Sequence, residues 1–165
     1  MAKDSLTLVV YLLEADDKAY EYGIPINQVH EITRPGKVIK LPQMPSFVDG
    51  IMNLRGEVIP IIDFKKRFGL GSTGVKDTTR IVVVNMDNKK CGIIVDDVLE
   101  IIAVPPESIE EAPAVAGGVK SNFILGIGKV DDRLIIALDI AKVLTVDEQE
   151  EMLAAGDLRA QTLPA

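Results

Sequence analysis

The chain has 165 residues, of which 47% are hydrophobic and 4% aromatic, and its formal net charge is −7. This length suits one domain or two very small ones, with a core of valine, isoleucine and leucine because tryptophan is absent. The acidic balance argues against nucleic acid as a partner, since the only basic triplet is Lys65-Lys66-Arg67.

The single cysteine, Cys91, excludes an internal disulfide and fits a reducing compartment. No basic segment precedes an apolar one at the start of the chain, as a secretory signal would require. No run approaches the ~18 apolar residues that span a bilayer. We therefore expect a cytoplasmic protein without direct membrane insertion.

Short apolar runs rich in β-branched residues, separated by turn residues, predict an all-β protein. In chain order, strands are expected at residues 6–13, 20–26, 28–32, 38–41, 58–62, 80–86, 91–95, 98–102, 123–130 and 134–138. Asp63 and Asp139 are expected to cap short helices. A C-terminal helix is expected at residues 146–156, followed by a frayed tail at residues 157–165. Such a pattern is typical of barrels or a sandwich rather than of alternating βα units.

The stretch Asn53-Leu-Arg-Gly-Glu-Val-Ile-Pro-Ile-Ile-Asp63 predicts a turn at Arg55-Gly56 that leads into a strand. An arginine at such a turn can project over the protein surface. Pro60 has no backbone N–H, so it belongs on an edge strand or at a bulge. A proline there also discourages uncontrolled pairing of the edge with other chains.

The chain contains an internal repeat, because residues 22–32 align with residues 91–101 and residues 50–68 align with residues 126–144. The matched pairs are Gly23 and Gly92, Val29 and Val98, Glu31 and Glu100, Ile32 and Ile101, Gly50 and Gly126, Asp63 and Asp139, and Lys66 and Lys142. The repeat predicts two similar small barrels packed together within a single domain of residues 1–165.

The two barrels are expected at residues 15–78 and 79–145, and the first strand, residues 6–14, packs with either. A groove between two packed barrels is a favourable place for binding.

Candidate chemistry is sparse. His30 is the only histidine, so a catalytic triad or a histidine-based metal site lacks parts. The segment Gly69-Leu-Gly-Ser-Thr-Gly74 lacks the lysine and the strand-to-helix setting of a phosphate loop. We expect no catalytic residues, no metal and no cofactor. Apolar strand surface with a few placed charges suits a protein that functions through contact.

Several segments together resemble the CheW family of coupling proteins of bacterial chemotaxis. They are Tyr22-Gly-Ile-Pro-Ile-Asn-Gln-Val-His-Glu-Ile32, Pro45-Ser-Phe-Val-Asp-Gly50 with the Asn-Leu-Arg-Gly stretch, Gly92-Ile-Ile-Val-Asp-Asp-Val-Leu-Glu-Ile101 and Arg133-Leu-Ile-Ile-Ala-Leu-Asp139. The resemblance implies two five-stranded SH3-like barrels without catalytic activity. It also implies an adaptor between the cytoplasmic tip of chemoreceptors and the regulatory domain of the histidine kinase CheA.

Candidate residues for the receptor side, in the groove between the barrels, are Val29, Glu31, Ile32, Arg55, Val98 and Ile101. The repeat places the apolar ones equivalently, and a helix can dock in an apolar groove. The alternation of Val29-His30-Glu31-Ile32 leaves open which of them belong to the core. By the resemblance, Glu31 and Arg55 lie in the functional region, and we predict that they form an ion pair.

Candidate residues for the kinase side lie in the apolar turn region at Phe47, Val48, Ile51 and Met52. Two other functions stay open from the sequence. One is a small-molecule sensor or enzyme that uses the groove between the barrels, and the other is an adaptor for a different kinase system. Self-association is also left open.

Overall fold

The structure, a computed structural model, describes residues 6–67, 69–86, 89–111 and 124–143. The helix expected at residues 146–156 and the tail expected at residues 157–165 lie outside the described residues. In the described ranges, no helix has the length and apolar character needed to cross a bilayer.

Twelve strands make up most of the described chain. They are β1 (Leu6–Ala15), β2 (Lys18–Pro25), β3 (Val29–Thr33), β4 (Val38–Ile39), β5 (Val48–Leu54), β6 (Glu57–Asp63), β7 (Arg80–Met86), β8 (Lys89–Val95), β9 (Asp97–Val104), β10 (Ile109–Glu110), β11 (Ile124–Val130) and β12 (Arg133–Leu138). Two one-turn helices, α1 (Phe64–Arg67) and α2 (Ile140–Val143), follow β6 and β12. The prediction of an all-β fold with short helices is confirmed.

The strands form two six-stranded sheets. The first sheet has the order β10-β11-β12-β2-β1-β9, and the second has the order β3-β7-β8-β6-β5-β4. Each contains five strands of at least five residues plus one strand of two residues, β10 or β4, so the expected count of five per unit describes the longer strands.

The sheets do not follow the expected boundary between residues 78 and 79. Strands β1 and β2 join the first sheet, which otherwise comes from the second half of the chain, and β7 and β8 join the second sheet. The exchanged hairpins pair in parallel with equivalent partners, Ala137 opposite Gly23 in the first sheet and Ile61 opposite Gly92 in the second. The repeat therefore continues into the strand register, although each half completes the sheet of the other.

Three buried apolar clusters hold this arrangement together. The central cluster joins the two sheets and consists of Tyr11, Leu13, Tyr22, Ile24, Phe47, Val48, Ile62, Phe64, Val82, Val84, Met86, Cys91, Ile93, Val95, Leu138, Ile140 and Val143. A second cluster lies within the second sheet and a third within the first sheet. Strand β1 contributes to two of them, since Leu8 and Val10 face one cluster and Tyr11 and Leu13 the other. Burial of both faces explains its continuous apolar sequence.

The carboxylate of Asp63 organises the connection between the two halves. It is fully buried and accepts hydrogen bonds from the Lys65 N–H at 3.0 Å, the Thr73 N–H at 2.7 Å and the Thr73 hydroxyl at 3.0 Å. Burial raises the pKa of this carboxyl, and the bonds from Thr73 oppose the rise. Asp139 caps α2 in the same way through the Ala141 N–H at 3.1 Å, so both expected caps are present.

Pro60 lies opposite Ile51 in the β5–β6 ladder, and the parallel ladder of β6 with β8 begins one residue later, at Ile61. The proline thus lies in the part of β6 that pairs with β5 alone. The expectation of an edge strand or a bulge at Pro60 is wrong, because β6 lies inside the sheet between β8 and β5 and the register shift lies at Val48 and Gly50. The proline is tolerated because its missing N–H falls where no pairing with β8 is made.

The matched glycines Gly50 and Gly126 each follow a register shift in their strands, β5 and β11. Gly50 has φ +148°, and a Cβ there would collide with the backbone carbonyl of Ile39.

We expect Gly50→Ala to lower the free energy of unfolding by about 3 kcal/mol or more, from backbone strain and overpacking together. Urea unfolding measures this, with Gly74→Ala as the control because open space surrounds Gly74. Equal stability of the two variants would contradict the assigned bulge.

The hydroxyl of Tyr11 is buried and has no hydrogen-bond partner among the described residues, while its ring stacks on Tyr22 with centroids 5.8 Å apart. Tyr11→Phe keeps the ring and removes the unpaired group. We expect the free energy of unfolding to rise by about 1 kcal/mol, since a buried polar group without a partner is destabilising. Thermal unfolding of the two proteins provides the measurement, and a lower midpoint for Tyr11→Phe would show that the hydroxyl is stabilising.

Candidate functional site

The turn that joins β5 and β6 places Arg55 at the surface. Leu54 pairs with Glu57, so Arg55 and Gly56 are the two central residues, with φ of +49° and +89°. Two left-handed residues define a type I′ turn, in which asparagine and glycine are preferred. The Gly56 N–H donates to the Asn53 side-chain oxygen at 2.7 Å, which fixes the turn. An arginine in this conformation is uncommon and suggests a role for its side chain.

The predicted ion pair between Glu31 and Arg55 is confirmed. The Arg55 Nη2 group donates to Glu31 Oε1, and the His30 Nε2 atom lies 3.8 Å from the same oxygen. The side chains are 68% exposed at Arg55 and 22% exposed at Glu31. The pair links the β5–β6 turn to strand β3, which lies at the edge of the second sheet. An ion pair this exposed contributes only ~0–1 kcal/mol to stability, so its main effect is on the shape and charge of the surface.

The four apolar candidates for the receptor side divide into two equivalent pairs. Val29 and Val98 are partly buried and pack against the central cluster. Ile32 and Ile101 are exposed, at 39% and 59% of their surface. The two residues of each repeat pair therefore have similar burial, as the repeat predicted. The structure shows that Ile32 and Ile101 are the pair that faces solvent. Ile32 lies on β3 and Ile101 on β9, the two equivalent edge strands of the sheets.

All four candidates for the kinase side are buried. Phe47, Val48, Ile51 and Met52 are 5%, 8%, 2% and 3% exposed. Phe47 and Val48 belong to the central cluster and Met52 to the cluster within the second sheet, so packing covers side chains that the sequence placed in an open turn region. As they stand, these side chains stabilise the core and offer no free apolar surface for a partner.

A second charged cluster was not identified from the sequence. Arg133 donates from Nε to Glu21 at 2.9 Å and from Nη1 to Glu100 at 3.0 Å, which crosses β12, β2 and β9. These hydrogen bonds raise the pKa of Arg133. Glu100 is the repeat equivalent of Glu31, so each sheet holds an arginine against the same glutamate position. The match of Glu31 with Glu100 was the signal that could have located this cluster.

The described residues offer little for catalysis. Among them, no group of three histidine, cysteine, aspartate or glutamate side chains could hold a metal ion. Burial raises the pKa of the Cys91 thiol to about 12, so it remains protonated near neutral pH and is a poor nucleophile.

Comparison with known proteins gives consistent matches. The family model described as a CheW-like domain matches residues 10–148. The protein named chemotaxis protein CheW from Klebsiella aerogenes is 34% identical over 128 residues, which cover 78% of this chain and 77% of the relative. The one from Bacillus subtilis is 33% identical over 137 residues, which cover 83% of this chain and 86% of the relative.

A solved structure shares the fold. The crystal structure of the scaffolding protein TtCheW from Thermoanaerobacter tengcongensis has a TM-score of 0.77 and 38% identity to this chain. The match covers 92% of this chain and 94% of that one.

The exposure of the ion pair leads to a prediction for the β5–β6 turn. We expect Arg55→Asn to be at least as stable as the parent protein, because asparagine favours the type I′ turn and the lost pair contributes only ~0–1 kcal/mol. Arg55→Ala should be less stable than Arg55→Asn, since alanine disfavours the left-handed conformation. Thermal unfolding of Arg55→Asn, Arg55→Ala and Glu31→Gln compares them. A large loss of stability in Arg55→Asn would show that the pair is structural.

Proposed function

This chain belongs to the CheW-like domain family. We propose that it is a non-catalytic scaffolding protein that couples chemoreceptors to the histidine kinase CheA in chemotaxis, through direct contacts with the cytoplasmic receptor tip and the kinase regulatory domain. We expect such a scaffolding protein to function in the cytoplasm. Its surface must then offer separate regions for two partners.

The proposed receptor side is the surface around β3 and β9. The observation that carries this proposal is the Glu31–Arg55 pair, since an uncommon arginine conformation and a held charge coincide there. Ile32, the next residue of β3, adds an exposed apolar side chain at the same edge of the sheet. Ile101 presents a second exposed apolar side chain at the equivalent position. A receptor helix would read such a surface through apolar side chains at helical spacing and a polar contact with Arg55.

The proposed kinase side stays in the region that contains Phe47, Val48, Ile51 and Met52, but the contact itself requires exposed neighbours of these buried residues. Strand β4 covers part of this region at the other edge of the second sheet. Its Ile39 is 39% exposed and lies opposite the buried Ile51. The four buried residues would stabilise this edge through core packing and would not contact the kinase themselves.

A scaffold has to bind its partners reversibly. Micromolar affinity corresponds to about −8 kcal/mol, which a small interface can supply. The proposed kinase contact at β4 lies at the opposite edge of the second sheet from β3, and β9 is an edge of the first sheet. The two proposed contacts therefore use different strands, which would let the protein bind both partners at once.

The test is a calorimetric titration of this protein with each of two partners, the kinase regulatory domain and a soluble receptor-tip fragment from the same organism. We expect micromolar binding of both. Ile101→Glu should weaken receptor binding by about tenfold or more, because a charge replaces an exposed apolar contact at a cost of about 1.4 kcal/mol or more. It should leave kinase binding and the unfolding midpoint unchanged.

Val75→Glu is the matched control, since Val75 is 72% exposed outside the strands and lies away from the proposed edges in sequence and topology. Equal weakening by the two variants would contradict the assigned receptor side. Absence of heat with both folded partners would favour a different kinase system or a small-molecule ligand.

A further inference from the structure

A polar cleft of about 420 Å³ opens where the β1–β2 hairpin meets α1 and the segment that joins the two halves. This volume lies within the roughly 300–1,000 Å³ of small-ligand sites. Four carboxylates and three lysine ammonium groups line it, and the argument rests on Glu14, Lys65, Lys76 and Asp96. None of these residues belongs to the proposed receptor or kinase sides.

A buried ion pair forms the floor of the cleft. Lys65 Nζ lies 2.6 Å from Asp96 Oδ2, and the two residues are 5% and 0% exposed. The Glu14 N–H donates to the same oxygen at 2.8 Å, and the Asp96 N–H donates to the Leu12 carbonyl at 3.1 Å. Asp96 therefore ties β1 of the first sheet to α1, which follows the second sheet. Such a pair is expensive to desolvate and is weak evidence for a stabilising role.

The internal repeat supplies a comparison for this pair. Asn27 aligns with Asp96 and Ala141 aligns with Lys65, and both of these equivalents are exposed. The matching junction is closed by the neutral side chain of Gln28, which donates to Asp139 at 3.1 Å and accepts from the Ile140 N–H at 3.1 Å. The fold thus makes the same junction without a buried lysine and aspartate. The buried lysine and aspartate occur at only one of the two junctions. A reason other than folding is therefore needed to explain them.

One oxygen of the buried carboxylate is unpaired. Asp96 Oδ1 has no hydrogen-bond partner in the described part of the chain. The Lys76 Nζ atom lies 4.0 Å from it and 3.8 Å from Glu14 Oε2, and both separations exceed a hydrogen bond. A single ammonium placed between two carboxylates satisfies neither of them. An unpaired, buried acceptor in an open cleft favours a ligand that donates hydrogen bonds.

We propose that this cleft binds a guanidinium group, which donates to Asp96 Oδ1 and to Glu14 while Lys76 moves aside. A guanidinium is flat and carries several N–H groups in a fixed arrangement, so it can reach two carboxylates that one ammonium cannot. A metal ion fits poorly, because Lys65 already occupies the other Asp96 oxygen and the described residues form no metal-binding group. The guanidinium comes either from an arginine of a docked protein or from a free guanidino compound.

The first experiment titrates the full chain with a blocked arginine, Nα-acetyl-arginine methylamide, and follows the backbone amide signals by NMR. The Glu14 amide, which donates to Asp96, is expected to shift and to saturate. Nα-acetyl-citrulline methylamide has nearly the same shape without the charge and should cause no saturating shift. Absence of saturation with the arginine probe, or equal saturation with the citrulline probe, would overturn the proposal.

Two variants test the roles of the named side chains without altering the buried pair. Lys76→Met removes the competing ammonium and should tighten binding of the arginine probe by about three- to tenfold, whereas Glu14→Gln should weaken it by a similar factor. Lys90→Met is the control, since Lys90 pairs with Glu57 at 3.0 Å on other strands. Unchanged affinity in both Lys76→Met and Glu14→Gln, relative to this control, would also overturn the proposal.

A second experiment separates the two sources and rests on the proposed function. The complex with the kinase regulatory domain is titrated with and without saturating blocked arginine. Weaker complex formation with the probe would assign the guanidinium to an arginine of that domain, and unchanged formation would assign the cleft to a free guanidino compound. If no complex forms, the proposed function fails while the NMR result with the isolated chain still decides on the cleft.

Discussion

The exchange of hairpins between the two halves is the constraint on which the rest of the structure depends. Strands β2 and β8 pair in parallel with β12 and β6, so each sheet is closed by a hairpin from the other half of the chain. Strands β1, β7 and β8 contribute buried side chains both to the cluster within their own sheet and to the central cluster, and β2 contributes Tyr22 and Ile24 to the central cluster. Separation of the halves would open both sheets and the central cluster together.

The clusters bury most of the large apolar side chains, and those that stay exposed are few. Exposed apolar side chains lie on the edge strands β3, β4 and β9, where Ile32, Ile39, Leu99 and Ile101 are at least 39% exposed. Leu125 and Leu134, on the inner strands β11 and β12 of the first sheet, are exposed as well. Charged side chains lie beside these residues, with Arg55 against Glu31 and Arg133 against Glu21 and Glu100. Edge strands with charged neighbours resist uncontrolled pairing and still offer a defined surface.

The sequence predicted features that depend on local chemistry and on the repeat. Gly56 marks the turn, and Asp63 and Asp139 are residue types that cap helices. The Glu31–Arg55 pair was predicted from the family resemblance, since its two residues are 24 positions apart in the sequence. The exchange of hairpins could not be predicted, because β2 and β8 are copies of each other. No local feature of the sequence indicates whether β2 pairs with β6 or with β12. The burial of Phe47 and Met52 was missed because it depends on clusters whose other members are distant in the sequence. Lys65 and Asp96 are distant in sequence, and no pattern connected them.

Because of the exchange, the two sheets are completed at different times while the ribosome synthesises the chain. The second sheet has all its strands once residue 95 has been made, whereas the first sheet lacks β12 until residue 138. The β1–β2 hairpin emerges first and pairs with its parallel neighbour last. Contacts between such distant segments fold slowly and leave apolar strands uncovered in the meantime. The nascent protein is therefore most exposed to aggregation while its first two strands await its last one.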